Sequence, residues 1–172
     1  MIEILKQIEN KLDWLVEEKG KWQSLYIDYE KPIVERVWRE YGDYRIMLHR
    51  IHTCEKGKAL FHPHPWPSAM SVVDGSYEME VGFGQGLEKP PVAMTLRLPK
   101  DSVYEMLHLD SWHSVRPIWP YETSMSLMVT GKPWDREVFK STKRLGPLED
   151  SQKSEILKFF WEYYSKRNWI PG

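Results

Sequence analysis

Apolar residues recur every three or four positions through the start of the chain, at Leu5, Ile8, Leu12 and Leu15, within a segment rich in lysine and glutamate. That period places the four on one side of a helix and predicts an amphipathic helix from residue 2 to about residue 19, stopped near Gly20. The stretch from Pro32 to Tyr41 reads as a second short helix before Gly42. After Gly42 the period changes. Short apolar or alternating segments follow near 44–53, 58–62, 69–74, 76–83, 92–98, 102–107, 112–118 and 123–130, separated by Gly, Pro, Asp or Lys. So many short strands in succession predict a sandwich or barrel. Within them SVV, then Asp74-Gly75, then SYEMEVG is the strongest hairpin signal, because Asp-Gly accepts the positive backbone angles of a tight turn. Beyond Gly131 the helical period returns, with Asp150 or Ser151 as a cap and Ile156, Phe159, Phe160 and Tyr163 on one face.

Length and charge narrow the picture. A chain of 172 residues with 41% hydrophobic residues supports one buried core, here divided into a helical segment (1–43), a β region (44–131) and an extension with an amphipathic helix (132–172). Lysine plus arginine (24) nearly cancels aspartate plus glutamate (25), which removes the basic footprint of a nucleic-acid or anionic-membrane binder. A small molecule becomes the expected partner. The single cysteine, Cys54, leaves no internal disulfide, the first residues are too charged for a secretory signal, and no apolar run reaches the roughly 20 residues of a membrane span. A reducing cytoplasm is the expected location. Nine tryptophans and nine tyrosines supply material for a core or a pocket wall without deciding between them.

The chemistry concentrates in the β region, which holds all the histidines: 49, 52, 62, 64, 108 and 113. In LFHPHPWPSAM, His62 and His64 are two residues apart, so both rings share one side of an extended segment and can converge on one ion. His113 lies on a later strand that a folded sheet can bring alongside. His49 and His52, three apart, face opposite sides of a strand, so at most one points inward.

These residues resemble the cupin family. Its first motif runs His-x-His, three or four residues, Glu, six residues, Gly; here His62-x-His64 is followed by Ser68 at the glutamate position and, six residues on, by Gly75. Its second motif resembles DSVYEMLHLDSWHSV, with Ser102, His108 and Asp110 at the Gly, Pro and Gly positions and His113 at the histidine. The resemblance spans roughly residues 44–131. It implies a double-stranded β-helix, the cupin jelly-roll barrel, with N- and C-terminal helical additions, and makes His62, His64 and His113 ligands of one divalent metal facing the interior. Iron(II) is the first choice, with zinc, nickel, manganese and copper also compatible with imidazole ligands.

The glutamate ligand is absent: Glu78 and Glu80 alternate with Tyr77, Met79 and Val81 and so are expected to point outward, and a carboxylate from Glu105 would be a rearranged ligand. Cupins with three histidines and no glutamate are similar to iron dioxygenases acting on small thiols or diketones. The resemblance therefore implies a mononuclear small-molecule dioxygenase. Its alternatives are a cupin that binds a small metabolite without catalysis and a metal-free isomerase using a histidine and a tyrosine. Three neutral ligands leave the ion its full charge and favour an anionic or chelating substrate. Trp66, Ser68, Tyr77, His108 and Trp112 are the expected pocket residues, with Arg116 as a carboxylate clamp and Tyr104 as an acid or base. The terminal helices are expected to cover the barrel or to form a homodimer contact.

Overall fold

The computed structural model describes residues 1–135 and 143–168; the parts of the C-terminal extension at 136–142 and 169–172 lie outside the described residues. The N-terminal pattern forms two helices rather than one, α1 (Ile2–Glu9) and α2 (Leu12–Glu17), separated at Asn10 and Lys11. Asparagine is a poor helix former because its amide competes with the backbone, and the break leaves Leu5, Ile8, Leu12 and Leu15 all fully buried.

Ten strands follow: β1 (Gln23–Ile27), β2 (Val34–Tyr41), β3 (Tyr44–His52), β4 (His62–Pro63), β5 (Ser68–Asp74), β6 (Ser76–Phe83), β7 (Met94–Pro99), β8 (Val103–Met106), β9 (Ser111–Pro117) and β10 (Thr123–Thr130). Helix α3 (Asp150–Asn168) closes the described chain. It begins at Asp150, so Glu149 precedes it, and the Glu149 N–H donates to Gln152 Oε1 at 3.1 Å. The strands form a six-stranded sheet in the order β1-β2-β3-β10-β5-β8 and a four-stranded sheet in the order β4-β9-β6-β7, with every pairing antiparallel. The chain crosses between the sheets repeatedly, at β5 to β6 and again at β7 to β8 and β8 to β9. This is a mainly β jelly roll with helical additions. Its two sheets pack face to face without closing into a continuous barrel.

Two expectations need correction. Residues 32–41 do not form a helix: Val34–Tyr41 is a strand held between β1 and β3, with Val37 opposite Leu48 and Trp38 opposite Met47. Its Val, Trp and Tyr residues suit a pleated surface, and β1, which was not expected, supplies its other neighbour. Asp74-Gly75 is not a hairpin turn, because β5 and β6 belong to different sheets. Gly75 instead turns the chain across the gap at φ +78°, where an added Cβ would lie 2.9 Å from the Thr123 carbonyl. A side chain is excluded there by both strain and space.

Strand parity then fixes which residues face the interior. One face of the six-stranded sheet carries Val37, Ile46, Leu48, Ala69, Val73, Leu127 and Val129, and packs on α1, α2 and α3 through Leu5, Leu12, Leu15, Ile156 and Phe160. The other face carries Met47, Met70, Met106 and Met128, with Trp38, Trp66 and Tyr104 against them. Val72 on that face meets Tyr77 and Met79 of the smaller sheet. Each such side chain contributes about 1.5–3 kcal/mol by leaving water. No described helix is long and apolar enough to cross a membrane.

Candidate metal centre

Prolines 63, 65 and 67 keep the segment around His62 and His64 extended, since each fixes its backbone angle and cannot continue a ladder. Only His62 and Pro63 pair with a neighbour, and the register sets His62 directly opposite His113 of β9. His64, two residues on, lies on the same side. The three rings therefore meet between the sheets, with centroids 5.4 Å (His62–His64), 5.1 Å (His62–His113) and 4.4 Å (His64–His113) apart. One nitrogen from each lies within 4.8 Å of the others, and among the described residues this is the group that could hold an ion.

Far-side hydrogen bonds orient two of the rings, and at His62 one fixes the tautomer. A carbonyl can only accept, so the 3.0 Å contact from His62 Nδ1 to the Leu60 oxygen places the proton on Nδ1 and leaves Nε2 as a lone pair. His64 Nδ1 lies 3.1 Å from the Ser68 hydroxyl, leaving its Nε2 directed at His113. The two Nε2 atoms of His64 and His113 are 2.8 Å apart. Two bare lone pairs would repel at that distance, so either one ring donates to the other or a cation lies between them. Octahedral imidazole ligands bonded at about 2.1 Å stand about 3.0 Å apart, close to the spacing seen. Burial is the main cause that lowers the pKa of all three, moderately for His62 and well below the usual range for His64 and His113. The rings are neutral at physiological pH, as ligands must be. His113 Nδ1 is buried without a hydrogen-bond partner. The donor set fits a divalent ion with open positions for further ligands.

The other expected residues divide by strand parity. Ser68, fully buried, sits behind His64 on its Nδ1 side, away from the converging Nε2 atoms, so its hydroxyl orients the His64 ring. Trp66 lies tilted against His64, with ring centroids 6.2 Å apart, and lines a cavity of about 260 Å³ with Tyr44, Arg45 and Thr130. Tyr104 donates to Met70 Sδ at 3.2 Å and its oxygen is 3.0 Å from that of Tyr77. Burial raises the pKa of both phenols, so both keep their protons.

Trp112 and Arg116 are one and three residues from His113 on β9 and so lie on the opposite face. Trp112 donates to the Gly84 carbonyl at 2.8 Å, and Arg116 pairs with Glu78 at 3.1 Å on β6, whose carboxylate also faces away from the histidines. Glu80 likewise accepts from Ser114 on that outer face. His108 is exposed, in the loop before β9, where its ring accepts the Asp110 N–H at 3.2 Å. Glu105 is occupied with the N-terminus, 3.2 Å from the Met1 amine and 3.0 Å from the Ile2 N–H. His52 pairs with Glu35 on the helix side at 2.9 Å, whereas His49 faces inward. Two features went unread in the sequence: the layer of four methionines, and Arg36, which strand parity with Trp38 would have placed on the inner face.

No known family model matches the chain, and no curated protein matches it in sequence. Its fold does have solved counterparts. Hydroxypropylphosphonic acid epoxidase from S. wedmorenis is similar at 13% identity and a TM-score of 0.51, over 64% of this chain and 56% of that one. Fe(II)-HppE with the alternative substrate (S)-1-HPP gives 11% identity and 0.52 over the same shares, and FeII HppE in complex with substrate gives 11% and 0.51 over 64% and 57%. The chain thus spans little more than half the length of these structures, and at such identity the likeness shows the fold.

Proposed function

We propose that this chain is a mononuclear non-haem metal oxidoreductase, with Fe(II) held by His62, His64 and His113 and a small-molecule dioxygenase as its reaction type. The observation that carries the reading is the convergence of three neutral imidazoles, two buried and one half-buried, from two separate segments on a point between the sheets. The Fe(II) named in the solved structures of the same fold supports the choice of metal. When bound, such an ion supplies redox chemistry with dioxygen and a Lewis-acid centre.

The chain's own residues prepare the site. The Leu60 carbonyl fixes the tautomer of His62, and the Ser68 hydroxyl orients the His64 ring. Met47, Met70, Met106 and Met128, with Trp66, make an apolar wall on the inner face of the larger sheet. Tyr104, protonated and bordering that wall, is the proposed hydrogen-bond donor to a substrate, toward which its proton would turn from Met70 Sδ, with Tyr77 behind it.

Anaerobic loading with Fe(II), then oxygen uptake with a panel of thiols, diketones, aromatic diols and hydroxy acids, tests this reading. Substrate-dependent uptake that is lost in His113→Ala supports it. One tightly held ion with no uptake on any member would move the protein to the binding-module alternative.

A further inference from the structure

The row of residues facing the histidines from the larger sheet contains an arginine with no counter-charge. Arg36 (β2), His49 (β3) and Ser126 (β10) stand opposite one another in register, so they form a continuous polar row across the inner face. Arg36 Nε donates to His49 Nε2 at 2.9 Å, which uses one of its five donors and fixes the guanidinium plane. Arg39, Arg45, Arg50 and Arg116 each meet a carboxylate, on Glu18, Glu40, Glu35 and Glu78 respectively. Among the described residues, Arg36 meets none.

A half-buried cation without an anion is costly, and a bound anion would relieve that cost. Ser126, fully buried beside His49, also has a hydroxyl without a partner, as does Ser124 two residues earlier. Burial lowers the pKa of Arg36 only to about 10, so the residue stays charged at neutral pH.

The geometry points to Arg36 as the anchor for the acid group of a small organic anion, a carboxylate or a phosphonate, whose other end faces His62, His64 and His113. His49 is a positioning residue that holds the guanidinium fork, and the Ser126 hydroxyl adds a donor beside it. Arginine suits this role because its planar fork grips two oxygens at once, which a lysine point charge does not. The assignment of the far end rests on the metal reading above; the anion site itself does not.

The test is calorimetric titration of 2-hydroxypropanoate and of methylphosphonate into wild-type, Arg36→Met and Arg36→Lys protein, each metal-free and loaded with Co(II). Metal affinity is measured separately by chelator competition. Wild type should bind one acid per chain with a Kd below about 10 mM. Arg36→Met should weaken that about 10- to 100-fold and Arg36→Lys at least about threefold, with one Co(II) per chain retained. Which of the two acids binds distinguishes a carboxylate from a phosphonate ligand. If Co(II) fails to bind the wild type, the metal reading falls, while Arg36-dependent binding to metal-free protein still upholds the anion site. Equal affinities in all three proteins, or no acid bound by the wild type in either form, overturns the proposal. Should Arg36→Met fail to fold, Arg36→Lys decides alone: unchanged affinity overturns it and a threefold loss upholds it.

Discussion

Replacing Ser68 by alanine removes one hydroxyl and tests whether His64 is held as a ligand. The side chain is fully buried, and its oxygen is 3.1 Å from His64 Nδ1. Without it the ring nitrogen has no partner in a dry site, which costs about 1–3 kcal/mol of folding stability. A merely structural hydrogen bond would show that loss and nothing more. If the bond orients a metal ligand, chelator competition will also show affinity falling about 10- to 100-fold, or about 1.4–2.7 kcal/mol. Ser114→Ala is the matched control: it adjoins His113 in sequence, but its hydroxyl bonds Glu80 at 2.9 Å on the outer face, so metal affinity should hold within about threefold. Thermal unfolding of both variants gives the stability change. Unchanged affinity in Ser68→Ala, with the stability loss present, would refute the reasoning that Ser68 supports a ligand.

Three other outcomes follow from the same geometry. Burial holds the pKa of His49, His62, His64 and His113 below the unfolded value, so acidification protonates the unfolded chain first; below about pH 6.5, metal-free stability in urea should fall by up to about 1.4 kcal/mol per pH unit for each, and a flat profile between pH 7 and 5 would contradict their burial as neutral rings. Phe160→Ala, at a fully buried position of α3 in the helix-side core, should cost about 3–5 kcal/mol by urea denaturation, and a loss under about 1 kcal/mol would show that α3 is not docked as described. Gly75→Ala should cost about 1–3 kcal/mol, because φ is +78° and the new Cβ would press on the Thr123 carbonyl at 2.9 Å; a neutral result would mean that the β5–β6 crossing is looser than it looks.

Most strands from Tyr44 to Thr130 were legible because their alternation and their Gly, Pro and Asp boundaries agree with the structure's own divisions, but the strand expected at 58–62 reduces to His62 and Pro63 in a segment that its prolines keep from pairing further. The histidine trio was legible from a parity argument: residues two apart share a face. The same argument was not carried to Trp112 and Arg116, whose odd spacing from His113 turns them outward. Strand β2 was illegible because its helix-facing side buries Glu35 and Arg39 in ion pairs with Arg50 and Glu18, so charge falls where an apolar residue is expected and the period of two disappears. With β2 misread, Arg36 could not be placed. The Asp-Gly signal failed for another reason: it reports a backbone conformation at Gly75, which a crossing between sheets needs as much as a hairpin does. Local sequence fixes a turn's shape, while the partner of the next strand is decided by long-range packing.

The central claim is that His62, His64 and His113 hold one divalent ion. X-ray absorption of Co(II)-loaded protein, on the wild type and on His62→Ala, His64→Ala and His113→Ala, tests it most directly. The account predicts one ion per chain, three imidazole nitrogens at about 2.0–2.2 Å, and the loss of one imidazole shell, with weaker binding, in each variant. An ion that keeps its full coordination shell and its affinity in any of the three variants would contradict it.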